Sequence, residues 1–158
     1  MSLDPLLLWA HLLATVMLVG YYVVLAAILI PVLSRATGVP GGEIVPPGRM
    51  LAAIERRALP LLLVSLAVFV VTGIVLQTSD PRYAGIGELR GAWTSLLLLK
   101  HLVVAVMLVV GSVLDGMAIR AGLAEAPPAF GPRIVWTARG QAVLGMVVLL
   151  ITAVAQGA

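Results

Sequence analysis

The stretch Leu6 to Leu33, LLLWAHLLATVMLVGYYVVLAAILIPVL, carries no aspartate, glutamate, lysine or arginine. As an α-helix rising 1.5 Å per residue it would run about 40 Å, past the ~30 Å hydrocarbon core of a bilayer. A soluble helix of that length needs a charged face turned to water, and this one has none. It therefore reads as a membrane span with length left for tilt or an interfacial turn.

Three more apolar stretches follow: Leu59 to Gln77, Trp93 to Leu114 and Ile134 to Ala155. The composition agrees, with 61% hydrophobic residues, 11% charged and a mean hydropathy of +1.14. Lipid-facing backbone must close its hydrogen bonds within each segment, and these runs are too continuous for a membrane barrel. The expectation is one all-α transmembrane domain over residues 1–158, an integral membrane four-helix bundle with helices near 6–33, 59–77, 93–114 and 134–155. A cleaved signal peptide is not expected, because Met1 to Asp4 has no basic region and the first apolar stretch is too long.

Basic residues set the orientation. Arg35, Arg49, Arg56, Arg57, Arg120, Arg133 and Arg139 fall on one side, against Arg82, Arg90 and Lys100 on the other. The richer side is expected in the cytoplasm, with both termini outside and the protein multi-pass in the cell inner or plasma membrane. The net charge of +3 then follows from topology. No loop has the basic and aromatic pattern of a nucleic-acid surface.

The connections differ. Ser34 to Met50, with Pro40, Gly41, Gly42, Pro46, Pro47 and Gly48, reads as a cytoplasmic linker, and Met50 to Arg57 as a place where helix two starts before lipid. Thr78 to Gly91 holds Asp80, Arg82, Tyr83, Glu88 and Arg90, which suit either a plain loop or the cover of a shallow pocket. Pro127, Pro128 and Pro132 break the chain before helix four.

The two histidines open matching segments, His11 in HLLATVMLV and His101 in HLVVAVMLV. Thr72-Gly73 and Thr152-Ala153, with Gln77 and Gln156 beyond them, extend the match weakly. The pattern points to a parallel repeat of two-helix units, with both histidines near the outer face and turned across a central cleft. Met17 and Met107, six residues on, lie about 9 Å deeper and rotated by about 120°, so they read as packing rather than ligands.

Imidazole in lipid needs a specific partner. Bis-histidine ligation of haem b by His11 and His101 is the leading expectation, with Thr72 and Thr152 as neighbours of the rings and Arg82, Arg90 or Lys100 meeting the propionates. The plainer alternative is that the histidines make interhelical hydrogen bonds with no cofactor. Copper is a further alternative, although no additional ligand is evident. With zero cysteines, thiolate sites and iron-sulfur clusters held by Cys are excluded. Trp9, Trp93 and Trp136 suit interfacial anchoring, and the first two also suit packing on a cofactor. Tyr21 and Tyr22 suit buried polar contacts, and Asp115 reads as facing water or a basic partner. No phosphate cradle, HExxH motif, nucleophile elbow or paired-carboxylate helix is present.

Trp9-Ala10-His11 with Gly20 and Pro31, Arg57 with Thr72-Gly73, and Trp93 with Leu99-Lys100-His101 resemble the copper-resistance D-like (CopD-like) membrane proteins and the related HemJ-type protoporphyrinogen oxidase proteins, over helices one to three. The HemJ-type resemblance rests on His11 and Lys100 and implies haem association and porphyrinogen oxidation. The CopD-like resemblance implies copper transport with His11 as a contact, but the chain lacks a methionine-rich entry motif. The functional expectation is a b-type haem electron-transfer protein or haem-bearing accessory subunit, exchanging electrons with a quinone, a periplasmic carrier or other membrane redox subunits. A haem-free structural subunit of a membrane complex is the alternative of a different class.

Overall fold

The computed structural model describes residues 4–35, 46–81, 92–123 and 131–157. Its first helix is α-helical over Asp4–Val24, passes through a π turn at Leu25–Leu29 and resumes over Ile30–Arg35; these three pieces together are α1. Then come α2 (Pro47–Thr78), α3 (Ala92–Leu123) and α4 (Pro132–Gly157). Each helix is long and apolar enough to cross a membrane. The protein is an all-α, multi-pass membrane bundle.

The helices pack in a ring: α1 on α2, α2 on α3, α3 on α4, and α4 back on α1. That leaves α1 and α3 on opposite corners, and α2 opposite α4. Chain direction alternates, so one end of the bundle carries His11, Thr72 and Thr152, and the other carries Arg35, Arg49, Arg120 and Arg133. These are called the histidine end and the basic end below.

Two helices extend past their expected limits at the basic end. α2 begins at Pro47, twelve residues before Leu59, and α3 continues to Leu123, beyond Leu114. Pro47 sits in the first turn, where its missing N–H costs nothing, and its fixed φ suits a helix start. There α2 and α3 meet at close range, since a Cβ on Gly122 would collide with the Ala52 Cβ. The Arg82, Tyr83, Glu88 and Arg90 part of the loop after α2 lies outside the described residues, as do Pro40, Gly41, Gly42, Pro127 and Pro128.

Helices that are apolar all round reveal their inward face only through packing. On α2 an inward seam runs through Leu51, Glu55, Ala58, Leu62, Ser65, Phe69 and Thr72, alternating steps of four and three residues as in a left-handed bundle seam. On α3 the deep positions are Met107, Gly111, Leu114 and Ala118. On α1 the seam runs through His11, Thr15, Leu18, Tyr22 and Leu25, then jumps five residues to Ile30 and on to Leu33.

The jump is the π turn. Ile30 donates its backbone N–H to the Leu25 carbonyl, an i→i+5 bond that takes one extra residue into the turn. Pro31 gives the reason, since it has no N–H to offer and its ring would crowd the carbonyl four residues back. The wider turn accepts Pro31 and keeps Leu25, Ile30 and Leu33 on the core with Leu51, Leu114, Ala118, Ile134 and Ala138.

Candidate functional site

Among the described residues, the buried polar side chains other than Ser65 fall into two groups, one at the histidine end and one towards the basic end. At the histidine end, the His11 ring is half-buried between α1 and α2. Its Nδ1 lies 3.0 Å from Thr72 Oγ1. Thr72 has one hydroxyl proton, which it donates to the Val68 carbonyl at 2.6 Å, so the ring nitrogen must be the donor to Thr72 and Nε2 keeps its lone pair. Phe69 stacks on the ring at 4.7 Å between centroids and 20° between planes. A Cβ on Gly73 would stand 3.2 Å from His11 Cε1. Thr72, Gly73 and Phe69 thus form a seat of α2 residues for one imidazole, and Thr15 ties its own hydroxyl to the His11 carbonyl at 2.7 Å.

His101 is placed differently. It is exposed on the outside of the bundle, and its Nδ1 donates to the Leu97 carbonyl of its own helix at 2.7 Å. The inward position on α3 belongs to its neighbour: Lys100 is half-buried, and its ammonium is the charged group that acts on the His11 ring. Counting back along α3 from Ala118 through Leu114, Gly111 and Met107 in alternating steps of four and three arrives at Val104 and Lys100. The two nine-residue segments match in sequence yet present faces one residue, or about 100°, apart. Thr152, the counterpart of Thr72, donates to Val148 of its own helix at 2.8 Å.

The remaining expected site residues divide. Trp9 is exposed towards lipid, which suits an interfacial anchor, and Trp136 is exposed with the Arg139 guanidinium 5.6 Å from its ring centroid. Arg82, Arg90 and the side chains of Trp93 and Gln156 lie outside the described residues. Met107 is buried and Met17 half-buried, in keeping with packing roles.

Comparison with family models, with curated proteins and with solved structures returned no match. The functional reading therefore rests on the side chains themselves.

Towards the basic end, each helix contributes to a second polar group. Glu55 of α2 is 2% exposed and Gln141 of α4 is 1% exposed. Tyr21 of α1 and Asp115 of α3 are the side chains that act directly on the Glu55 carboxyl. Tyr22 is buried beside them and faces both acids. A Cβ on Gly111 would stand 2.7 Å from the Tyr22 hydroxyl and 3.1 Å from Gln141 Nε2, so the absent side chain makes room for both. Gln141 Nε2 donates to the Met107 carbonyl at 2.8 Å.

Asp115 is therefore turned into the bundle and half-buried, which corrects the expectation that it faces water or a basic partner. Glu55 escaped sequence reasoning because it adjoins Arg56 and Arg57 and looks like part of a solvated charge run. The signal was its spacing: Glu55 falls on the Leu51, Leu62, Ser65 and Thr72 seam, whereas Arg56 and Arg57 fall off it and are exposed.

Among the described residues no group of three or more histidine, cysteine, aspartate or glutamate side chains comes together. That weakens the copper reading, which needs ligands beyond two imidazoles. A single haem held by both histidines would need both rings turned inward from opposite corners, and only His11 is.

Proposed function

We propose that this chain is a structural or accessory subunit of a larger membrane assembly, which it joins through the outer face of α3. The observation that carries this reading is the exposed His101 ring. A polar side chain turned towards lipid is costly, and intramembrane polar groups normally face protein or a water-filled cavity. With Nδ1 committed to Leu97, Nε2 is left to meet a neighbour outside this chain. Ala105 and Ser112, four and eleven residues after His101, share that exposed face, and small residues let membrane helices approach closely. The test is extraction in a mild detergent followed by native mass spectrometry. A larger species that is retained by wild type and lost in His101→Leu, with helicity intact, supports the reading; equal behaviour of the two proteins removes its basis.

A second reading is favoured by the His11 seat. HemJ-like chemistry calls for an imidazole and a lysine near the histidine end. His11, with its Nδ1 bonded to Thr72 and its Nε2 lone pair uncommitted, has the outer-shell support typical of a metal-ligating histidine. Lys100 supplies a cation beside it, suited to a propionate. These residues fit a haem held by one histidine; bound there, haem would supply one-electron redox chemistry. His11→Ala and Lys100→Gln should then both lower haem content, while His101→Ala should not. The bis-histidine electron-transfer reading predicts equal losses from His11→Ala and His101→Ala.

A further inference from the structure

The polar group towards the basic end is not used by either reading, and its composition is specific. It contains two carboxyl groups, two phenol hydroxyls and one carboxamide, drawn from all four helices. Glu55 Oε1, Asp115 Oδ1, Tyr21 OH and Gln141 Oε1 are all sealed from solvent without a well-formed hydrogen bond, while Tyr21 and Asp115 both turn to the Glu55 carboxyl. Unpaired buried polar atoms are costly, and unpaired buried charges far more so. The Tyr21 and Asp115 oxygens converge on the Glu55 carboxyl, and Gln141 adjoins them through Tyr22, so a partner shared by the acids would sit at Glu55.

The charge balance indicates its sign. Among the described residues no lysine, arginine or histidine acts on Glu55 or Asp115, and the groups that do are each other and Tyr21. Two carboxylates facing each other without a counter-charge in a low-dielectric interior require either a proton or a bound cation. The available donors are all oxygens, which suits a hard cation rather than a soft metal.

Apolar packing borders the group. On the basic side, the next inward residues are Leu51, Leu33, Ala118 and Ile134, all in the buried core. Ala52 and Gly122 pinch α2 and α3 together beyond them. On α1, the π turn at Leu25–Leu29 begins three residues after Tyr22, and π turns are frequent at functional sites.

We propose that Glu55 and Asp115, with Tyr21, Tyr22 and Gln141, form a binding site for a hard cation inside the bundle, in competition with protons. A divalent ion is neutralised by both carboxylates; a monovalent ion is neutralised by one while the other stays protonated. The site stands apart from the His11 seat and from the His101 face.

The test uses the full-length protein in detergent, freed of cations by chelation and exchange into choline chloride. Sodium, potassium, magnesium and calcium are then added separately at matched ionic strength, at pH 5.5 and pH 8, while thermal unfolding and calorimetric binding are followed. The expected result is a saturable rise in Tm with one of these ions, larger at pH 8, together with stoichiometric heat of binding. Glu55→Gln and Asp115→Asn should each abolish it, and His11→Ala should retain it. Which ion works separates the monovalent from the divalent case. Equal responses in wild type and both acid variants would overturn the proposal. So would a Tm that follows pH with no dependence on any cation, because the acids would then hold protons alone. Should the variants not fold, the wild-type calorimetry decides by itself, and absence of cation binding at pH 8 overturns the site.

Discussion

His11 gives its Nδ1 proton to Thr72 across 3.0 Å, and this bond between α1 and α2 fixes which nitrogen of the ring stays available. The partnership is specific to the first helix pair. In the second, Thr152 turns back on its own helix and His101 turns outward. Two segments of nearly the same sequence therefore carry different roles, because the face a helix buries depends on its neighbours.

Thr72→Val keeps the shape of the side chain and removes the acceptor. The half-buried His11 N–H then keeps only the Phe69 backbone as a partner, at a cost of about 1 kcal/mol. Thr72→Ser should retain most of the stability. Chemical unfolding in mixed micelles measures the difference, and a Thr72→Val protein as stable as wild type would show that the bond carries no weight.

Glycines on packed faces should behave differently from those facing open space. A Cβ at Gly145 would stand 2.8 Å from Val19 Cγ1, and valine has little rotamer freedom with which to retreat. Gly145→Ala should therefore destabilise by about 1–3 kcal/mol. Gly116 and Gly140 have nothing within 4 Å of an added Cβ, so alanine there should be neutral or stabilise by up to ~1 kcal/mol. The order of the three thermal midpoints checks the packing directly.

Pro31→Ala restores the missing N–H and removes the steric reason for the π turn. Relaxation to a regular α-helix rotates every later residue of α1 by about 100° relative to the core, turning Ile30 and Leu33 off their seam. Because the protein has no cysteine, a single Ile30→Cys reporter is clean. Thiol labelling should be slow in the wild-type background and faster with Pro31→Ala. Equal rates would mean that Pro31 does not hold the turn.

The fold was legible in the sequence because it rests on a coarse property, the length of uncharged runs such as Leu6 to Leu33. The ends of the helices were less so: Met50 to Arg57 is charged on one side and apolar on the other, and its helix is secured by packing of Leu51, Ala52 and Glu55. The site was legible in part. The sequence points to His11 and Thr72, and they are bonded; the matching segment points to His101 as a partner of His11, and it lies on the outer face of the opposite helix. Apolar residues on every side of α3 conceal which face is inward, and only the four-and-three spacing back from Met107 and Leu114 assigns that face to Lys100. Glu55 was hidden by its arginine neighbours, and Asp115 by its nearness to the basic end.

The central claim, that the chain works as a subunit through the outward face of α3, is tested most directly by native mass spectrometry of protein extracted in mild detergent after haem-replete expression, with haem quantified on the same sample. The account predicts a species heavier than the single 16.5 kDa chain, without a haem bound by both histidines, and its loss in His101→Leu. A single chain carrying one low-spin haem, lost equally in His11→Ala and His101→Ala, would contradict it.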